Sequence, residues 1–146
     1  MKFNTKTRYG LRTILELSLN ENTSEGVFQK EISRKQDVSI RYLDHIVAKL
    51  KACGLIVNVG GKKSGYRLTR PAREISIYDV YLAFEGEMAI IDCLVPGKEC
   101  PQKRTCVLRG FWCDLNDTIK SSMKSMNMEI LAENFRKNGA TEPVTS

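Results

Sequence analysis

The sequence predicts a mainly α-helical chain with one small β-hairpin, and three observations predict it. Apolar residues recur at three- and four-residue steps in several separate stretches, the period of amphipathic helices. The short run Leu55-Ile56-Val57-Asn58-Val59 is followed by a glycine-rich turn and a second short run, the pattern of a hairpin. A last apolar stripe, Leu108, Trp112, Leu115, Ile119, Met123 and Met126, continues over about five turns and predicts a long helix starting near Cys106.

From Thr5 to Asn20, the residues Leu11, Ile14, Leu15 and Leu19 form the apolar face of a first helix, with Lys6, Arg8, Arg12 and Glu16 on the other face. A polar loop from Asn20 to Gly26 leads to a short helix over Gln29 to Gln36, too short to stand without neighbours. Asp37-Val38-Ser39 is a turn in which Ser39 caps the next helix, and Gly54 stops that helix after Cys53. Leu43, Ile46, Val47 and Leu50 lie on its inner face. Arg41, His45, Ala48 and Ala52 lie opposite, flanked by Tyr42, Asp44 and Lys49.

Two short helices joined by a tight turn, the second with a basic outer face, describe a helix-turn-helix whose second helix enters a DNA major groove. The hairpin then reads as a wing, with strands Leu55 to Val59 and Tyr66 to Thr69 and with Lys62 and Lys63 at a tip suited to phosphates. Candidate DNA contacts are Gln29, Ser39, Arg41, Tyr42, His45, Lys49, Lys62 and Lys63. An excess of 23 Lys and Arg over 17 Asp and Glu, a net +6, suits a polyanionic partner.

Pro71 to Ile75 ends the wing, and Ser76 caps a helix to about Phe84 with Ile77, Val80, Tyr81 and Phe84 inward. Four of the five cysteines follow between Cys93 and Cys113, in a stretch broken by Pro96, Gly97 and Pro101. The spacing Cys93-x6-Cys100-x5-Cys106 matches neither the paired thiols of structural zinc sites nor the C-x-x-C of disulfide oxidoreductases. Such a loop can wrap a larger centre such as an iron–sulfur cluster; a redox pair, a zinc site and ordinary reduced thiols stay open beside it. Lys98, Lys103 and Arg104 lie among the thiols and favour thiolate. Cys53 reads as a small buried residue and Cys113 as structural, because it falls about 10 Å along the helix from Cys106.

The chain divides into a DNA-binding domain over 1–75, a cysteine loop with a dimerisation helix over 76–137, and a polar tail over 138–146 expected to be disordered. Trp112, Leu115, Ile119 and Met123 are the candidate residues of a two-fold helix–helix interface in a homodimer. No run reaches the length of a membrane helix, and Met1-Lys2-Phe3-Asn4-Thr5-Lys6 does not lead into a signal-peptide core, so a cytoplasmic location is expected. Five cysteines cannot all pair within one chain. An enzyme is not expected: there is no C-x-x-C, no nucleotide loop and no Cys–His pair.

Taken together, these residues resemble the IscR/NsrR-type family of bacterial iron–sulfur winged-helix transcriptional regulators over about residues 1 to 136. The resemblance rests on Met1 to Arg12, on Ser39-Ile40-Arg41-Tyr42-Leu43-Asp44, and on Gly54-Leu55-Ile56 followed by Gly65-Tyr66. It implies a winged helix-turn-helix, a dimer, an operator in double-stranded DNA and a repressor's role. It also implies a [2Fe–2S] or [4Fe–4S] cluster, with Cys93, Cys100 and Cys106 at the three cluster cysteines. Arg109 stands where IscR-type members place a histidine, and Arg8 where NsrR-type members place a carboxylate. A thiol switch or zinc site on the same cysteines is the alternative.

Overall fold

A computed structural model describes residues 2–61, 64–102 and 104–138. Lys62, Lys63, Lys103 and the tail from Gly139 lie outside the described residues. The helices are α1 (Thr5–Leu19), α2 (Gln29–Gln36), α3 (Ile40–Ala52), α4 (Ile77–Glu85), α5 (Arg109–Ser125) and α6 (Met128–Lys137). Strands β1 (Ile56–Asn58) and β2 (Tyr66–Leu68) pair antiparallel, Ile56 opposite Leu68, Val57 opposite Arg67 and Asn58 opposite Tyr66. The expected fold, mainly α with a small hairpin wing, is the observed one.

Helix α1 is the axis of the fold, touched by α2, α3, α4, α6 and β2. For that reason its burial is not the single stripe expected. Thr7, Gly10, Thr13, Glu16 and Ser18 are buried beside Ile14 and Leu17, whereas Leu11, Leu15 and Leu19 are only half-buried. The hydroxyls are satisfied: Thr13 Oγ1 donates to Tyr9 O at 2.8 Å and Ser18 Oγ to Ile14 O at 2.7 Å within the helix, and Thr7 Oγ1 donates to Glu85 Oε2 of α4 at 2.7 Å. Glu16, expected on the polar face, is only 8% exposed, because Lys35 and Gln36 of α2 reach over to its carboxylate.

Helix α2 ends at Asp37, a left-handed residue with φ 49°, which Asp tolerates better than most side chains. Two residues on, Ser39 caps α3 by accepting from Tyr42 N at 3.1 Å. Leu43, Ile46, Val47 and Leu50 are buried as the pattern predicts. The wing is pinned at its root, where Val27 and Tyr66 exchange backbone hydrogen bonds of 2.9 and 2.8 Å. Gly65 is required there: a Cβ would stand 2.5 Å from Glu25 O.

Helix α4 opens on a full capping box between Ser76 and Asp79. Val80 and Ala83 join the main core with Ile14, Leu43, Leu50, Ile75 and Met128, so that core draws on residues either side of position 75. Tyr78, Tyr81, Met88 and Met123 make a second, smaller cluster.

The expected long helix needs two corrections. The long helix starts at Arg109 rather than near Cys106, because Thr105 N and Cys106 N bond back to Gln102 O as successive turns. It also ends at Ser125, and a separate helix α6 follows. Asn127 caps α6 by accepting from Ile130 N at 2.9 Å, and Met128 and Ala132 are buried against α1 and the 3-10 turn Ala72–Glu74. The signal for α6 was in the sequence, as Asn127, the acidic Glu129 in the first turn, and Met128, Leu131, Ala132 and Phe135 at helical spacing.

Candidate nucleic-acid interface and cysteine loop

The amphipathic pattern of α3 leaves Ile40, Arg41, Asp44, His45, Ala48 and Lys49 exposed along one side. Arg41, His45 and Lys49 are thus displayed together, one turn apart in sequence. Ser39 is exposed as well, although its hydroxyl already caps the helix. Tyr42 is half-buried, edge-on to Tyr9 at 5.7 Å, with Arg12 over the Tyr9 ring at 5.3 Å.

Gln29 links three elements. Its Nε2 donates to Asp44 Oδ1 at 2.5 Å and to Ile40 O at 3.3 Å, and its Oε1 accepts from the Tyr66 hydroxyl at 3.4 Å. The start of α2, the middle of α3 and the base of the wing therefore share one polar network. Lys51 Nζ joins the helix to the wing by donating to Asn58 Oδ1 at 2.8 Å. Lys62 and Lys63, the expected wing-tip cations, lie outside the described residues.

The cysteine stretch is built from the 3-10 turn Asp92–Leu94 and from successive turns up to α5. Cys93, Cys100, Cys106 and Cys113 are free and half-buried. Cys53, expected to be buried, is instead exposed: it caps the end of α3 after the inward-facing Leu50, with its Sγ 3.9 Å from Ala83 O. Arg109, the first residue of α5, reaches back so that its Nη1 donates to Cys93 O at 3.4 Å and fastens one end of the loop to the helix. Lys98 pairs with Asp92 at 3.9 Å. The donor chemistry, free thiols in one loop, fits an iron–sulfur cluster. Among the described residues no three His, Cys, Asp or Glu side chains are gathered as a metal-holding group.

On α5, Trp112, Leu115 and Ile119 are half-buried, and Met123 is buried in the chain's own cluster with Tyr78, Tyr81 and Met88. Sequence reasoning missed Phe111, which is 56% exposed and packs edge-on to Trp112 at 5.1 Å, beside an exposed Leu108. It also missed Phe28 and Ile40, large apolar residues left open to solvent at the α2–α3 corner. Their signal was an apolar residue on a face otherwise read as polar.

Residues 3–134 match the Rrf2 family, described as an iron-dependent transcriptional regulator. Protein rrf2 of Nitratidesulfovibrio vulgaris is 29% identical over 136 residues, covering 93% of this chain and 88% of that protein. The HTH-type transcriptional regulator IscR of Photorhabdus laumondii is 31% identical over 136 residues, 92% of this chain and 80% of its own. Among solved structures, CymR (YrzC), the global cysteine regulator of B. subtilis, superposes with a TM-score of 0.74 at 28% identity, covering 91% of this chain and 97% of that one.

Proposed function

Since the chain belongs to the Rrf2 family of DNA-binding transcriptional regulators, we propose that it is a dimeric, sequence-specific repressor whose DNA binding is controlled by an iron–sulfur cluster on Cys93, Cys100 and Cys106. The observation that carries this reading is the pairing of a helix-turn-helix bearing exposed Arg41, His45 and Lys49 with a loop of free, half-buried thiols joined directly to α5. Residues 1–75 supply the DNA-binding part, and residues 76–137 the cysteine loop and dimer contacts. A cytoplasmic location is part of the proposal, because a transcriptional regulator works on DNA; among the described residues no helix is long and apolar enough to cross a membrane.

The chain's own residues have definable parts. Ser39 fixes the start of the reading helix, Gln29 ties that helix to the wing, and Arg109 holds Cys93 against the start of α5. When bound, the cluster supplies a group whose assembly depends on iron supply and on oxidants. Arg109 is a permanent cation and cannot complete the ligand set.

A second reading is a thiol redox switch or a zinc site on the same cysteines; the redox form is supported by the free, half-buried thiols and by the likeness to CymR of Staphylococcus aureus, whose structure is of an oxidized form. Anaerobic reconstitution separates the two. Iron, acid-labile sulfide and a visible charge-transfer band, with operator affinity that changes when the cluster is removed, support the cluster. A colourless, iron-free protein whose DNA binding responds to thiol oxidants or to zinc supports the second.

A further inference from the structure

Between α2 and the start of α3 there is an open groove of about 530 Å³, its walls mostly apolar, lined by Phe28, Lys30, Glu31, Ser33, Arg34 and Ile40. Phe28 and Ile40 are 44% and 45% exposed, two large apolar side chains shown to water in one concavity. The rim is cationic. Glu31 lies 3.3 Å from Lys35, which it shares with Glu16, while Lys30 and Arg34 are exposed and make no ion pair among the described residues, so the two rim cations outnumber its one carboxylate. The groove is also continuous with the reading face, because Ile40 is the first residue of α3 and is followed by the exposed Arg41.

An occupant must therefore be apolar at its centre and negatively charged at its edges. A DNA strand has that character: phosphates flank each deoxyribose, and thymine alone offers a methyl group in the major groove. Residues at the start of a recognition helix are those that meet base edges, while the preceding helix crosses the backbone. Resting on the operator binding proposed above, we infer that this groove seats one strand of the operator, with Ile40 against a thymine methyl, Phe28 against the adjoining deoxyribose, and Lys30 and Arg34 on the flanking phosphates. The chain would then read thymine by an apolar contact in addition to any polar contacts of Arg41 and His45.

The test uses the full chain and a duplex selected from a random pool by the chain itself. Each thymine is replaced singly by deoxyuridine, which removes only the methyl. At one or more positions the replacement should weaken binding about fourfold, the worth of one buried methyl. That loss should disappear in Ile40→Ala. Phe28→Ala should weaken binding with no change in salt dependence, whereas Lys30→Gln with Arg34→Gln should reduce the slope of log affinity on log salt by about two. All four side chains are exposed, so circular dichroism should show each variant folded. A flat deoxyuridine scan by a protein that still binds its duplex overturns the inference and leaves DNA binding intact. A wild-type chain that binds no duplex overturns both. Unchanged DNA affinity with an altered solution mass in Phe28→Ala with Ile40→Ala assigns the groove to a protein partner and overturns it as well.

Discussion

Five identical thiols differ only in where the fold puts them. Cys93, Cys100 and Cys106 share one loop, Cys53 ends the reading helix in solvent, and Cys113 lies in the second turn of α5. The substitutions Cys93→Ser, Cys100→Ser and Cys106→Ser are each expected to abolish or destabilise a reconstituted cluster, and Cys53→Ser and Cys113→Ser to retain iron and visible absorption. A folded Cys113→Ser that loses both makes the site a four-thiolate one. Glu16 is a second residue whose role was not readable, since its burial comes from α2 arriving over it. Glu16→Ala leaves Gln36 without its carboxylate partner and Lys35 with Glu31 alone, and should cost about 0.5–1.5 kcal/mol in urea unfolding. Lys35 also sets a pH dependence. Burial pulls its pKa down, but the Glu16 charge and hydrogen bonds to Glu31 and Glu16 outweigh this and raise it above 10.5. A raised folded pKa means that the folded state holds the proton longer. The stabilisation is thus complete below the unfolded value and is lost as pH rises through the folded one. Tyr81, raised by burial and by the charge of Glu85, acts in the same direction. Unfolding free energy should fall above about pH 10 in the wild type and fall less in Glu16→Gln, with the Tyr81 part remaining.

Between α1 and α4 the contact is closer than side chains normally allow, and Gly10 makes it possible. A Cβ there would lie 2.3 Å from Phe84 Cε2 and 2.8 Å from Cζ, so the ring would have to leave its place against the core. Overpacking of this kind costs about 1–3 kcal/mol. Replacing a helical glycine by alanine returns about 1 kcal/mol of propensity, so the packing cost should win. Gly10→Ala is expected to lower stability by up to about 2 kcal/mol, measured by denaturant titration, and Phe84→Leu in the same chain should recover part of the loss. The period of apolar residues exposed α3 to sequence reading because it buries one face; α4 was located, but beside Val80 and Tyr81 it buries Tyr78 and Ala83 and leaves the expected Ile77 and Phe84 half-buried, because it packs on both cores. Helix α1 was located and Ile14, Leu11 and Leu15 of its expected stripe meet the core, but packing on several sides also hides Thr7, Thr13 and Ser18, where a one-faced helix would show them polar. Helix α6 was lost because Met126 completes the stripe of α5, and only the bridge between Ser76 and Asn127 breaks the chain there. The outward residues of α3 were legible from helical angle alone; the Gln29 network was not, since it joins residues 15 and 37 positions apart.

At the scale of the molecule, the two ends of α5 differ in how far the chain covers them. Its last turns are used within the chain, where Met123 and Ile119 pack on Tyr78, Tyr81 and Met88. Its first turns are not: Leu108 and Phe111 are more than half exposed, and Trp112 and Leu115 remain half open. A contiguous apolar patch of this kind marks an interface more often than a solvated face. A second copy related by a two-fold axis would cover it with the same patch and place two reading helices about 34 Å apart, one turn of DNA, or a multiple of that. Both half-sites are then held by one particle, so dissociation of the dimer should weaken operator binding far more than it disturbs either domain. Leu115→Asp buries a carboxylate in the proposed contact yet leaves the two cores of the chain untouched, since Leu115 belongs to neither. Light scattering should accordingly fall from twice the 16.5 kDa chain mass to once that mass, with the helical circular dichroism retained and operator affinity reduced at least tenfold. A folded Leu115→Asp that stays fully dimeric puts the two-fold contact on another surface, and with it the spacing of the reading helices.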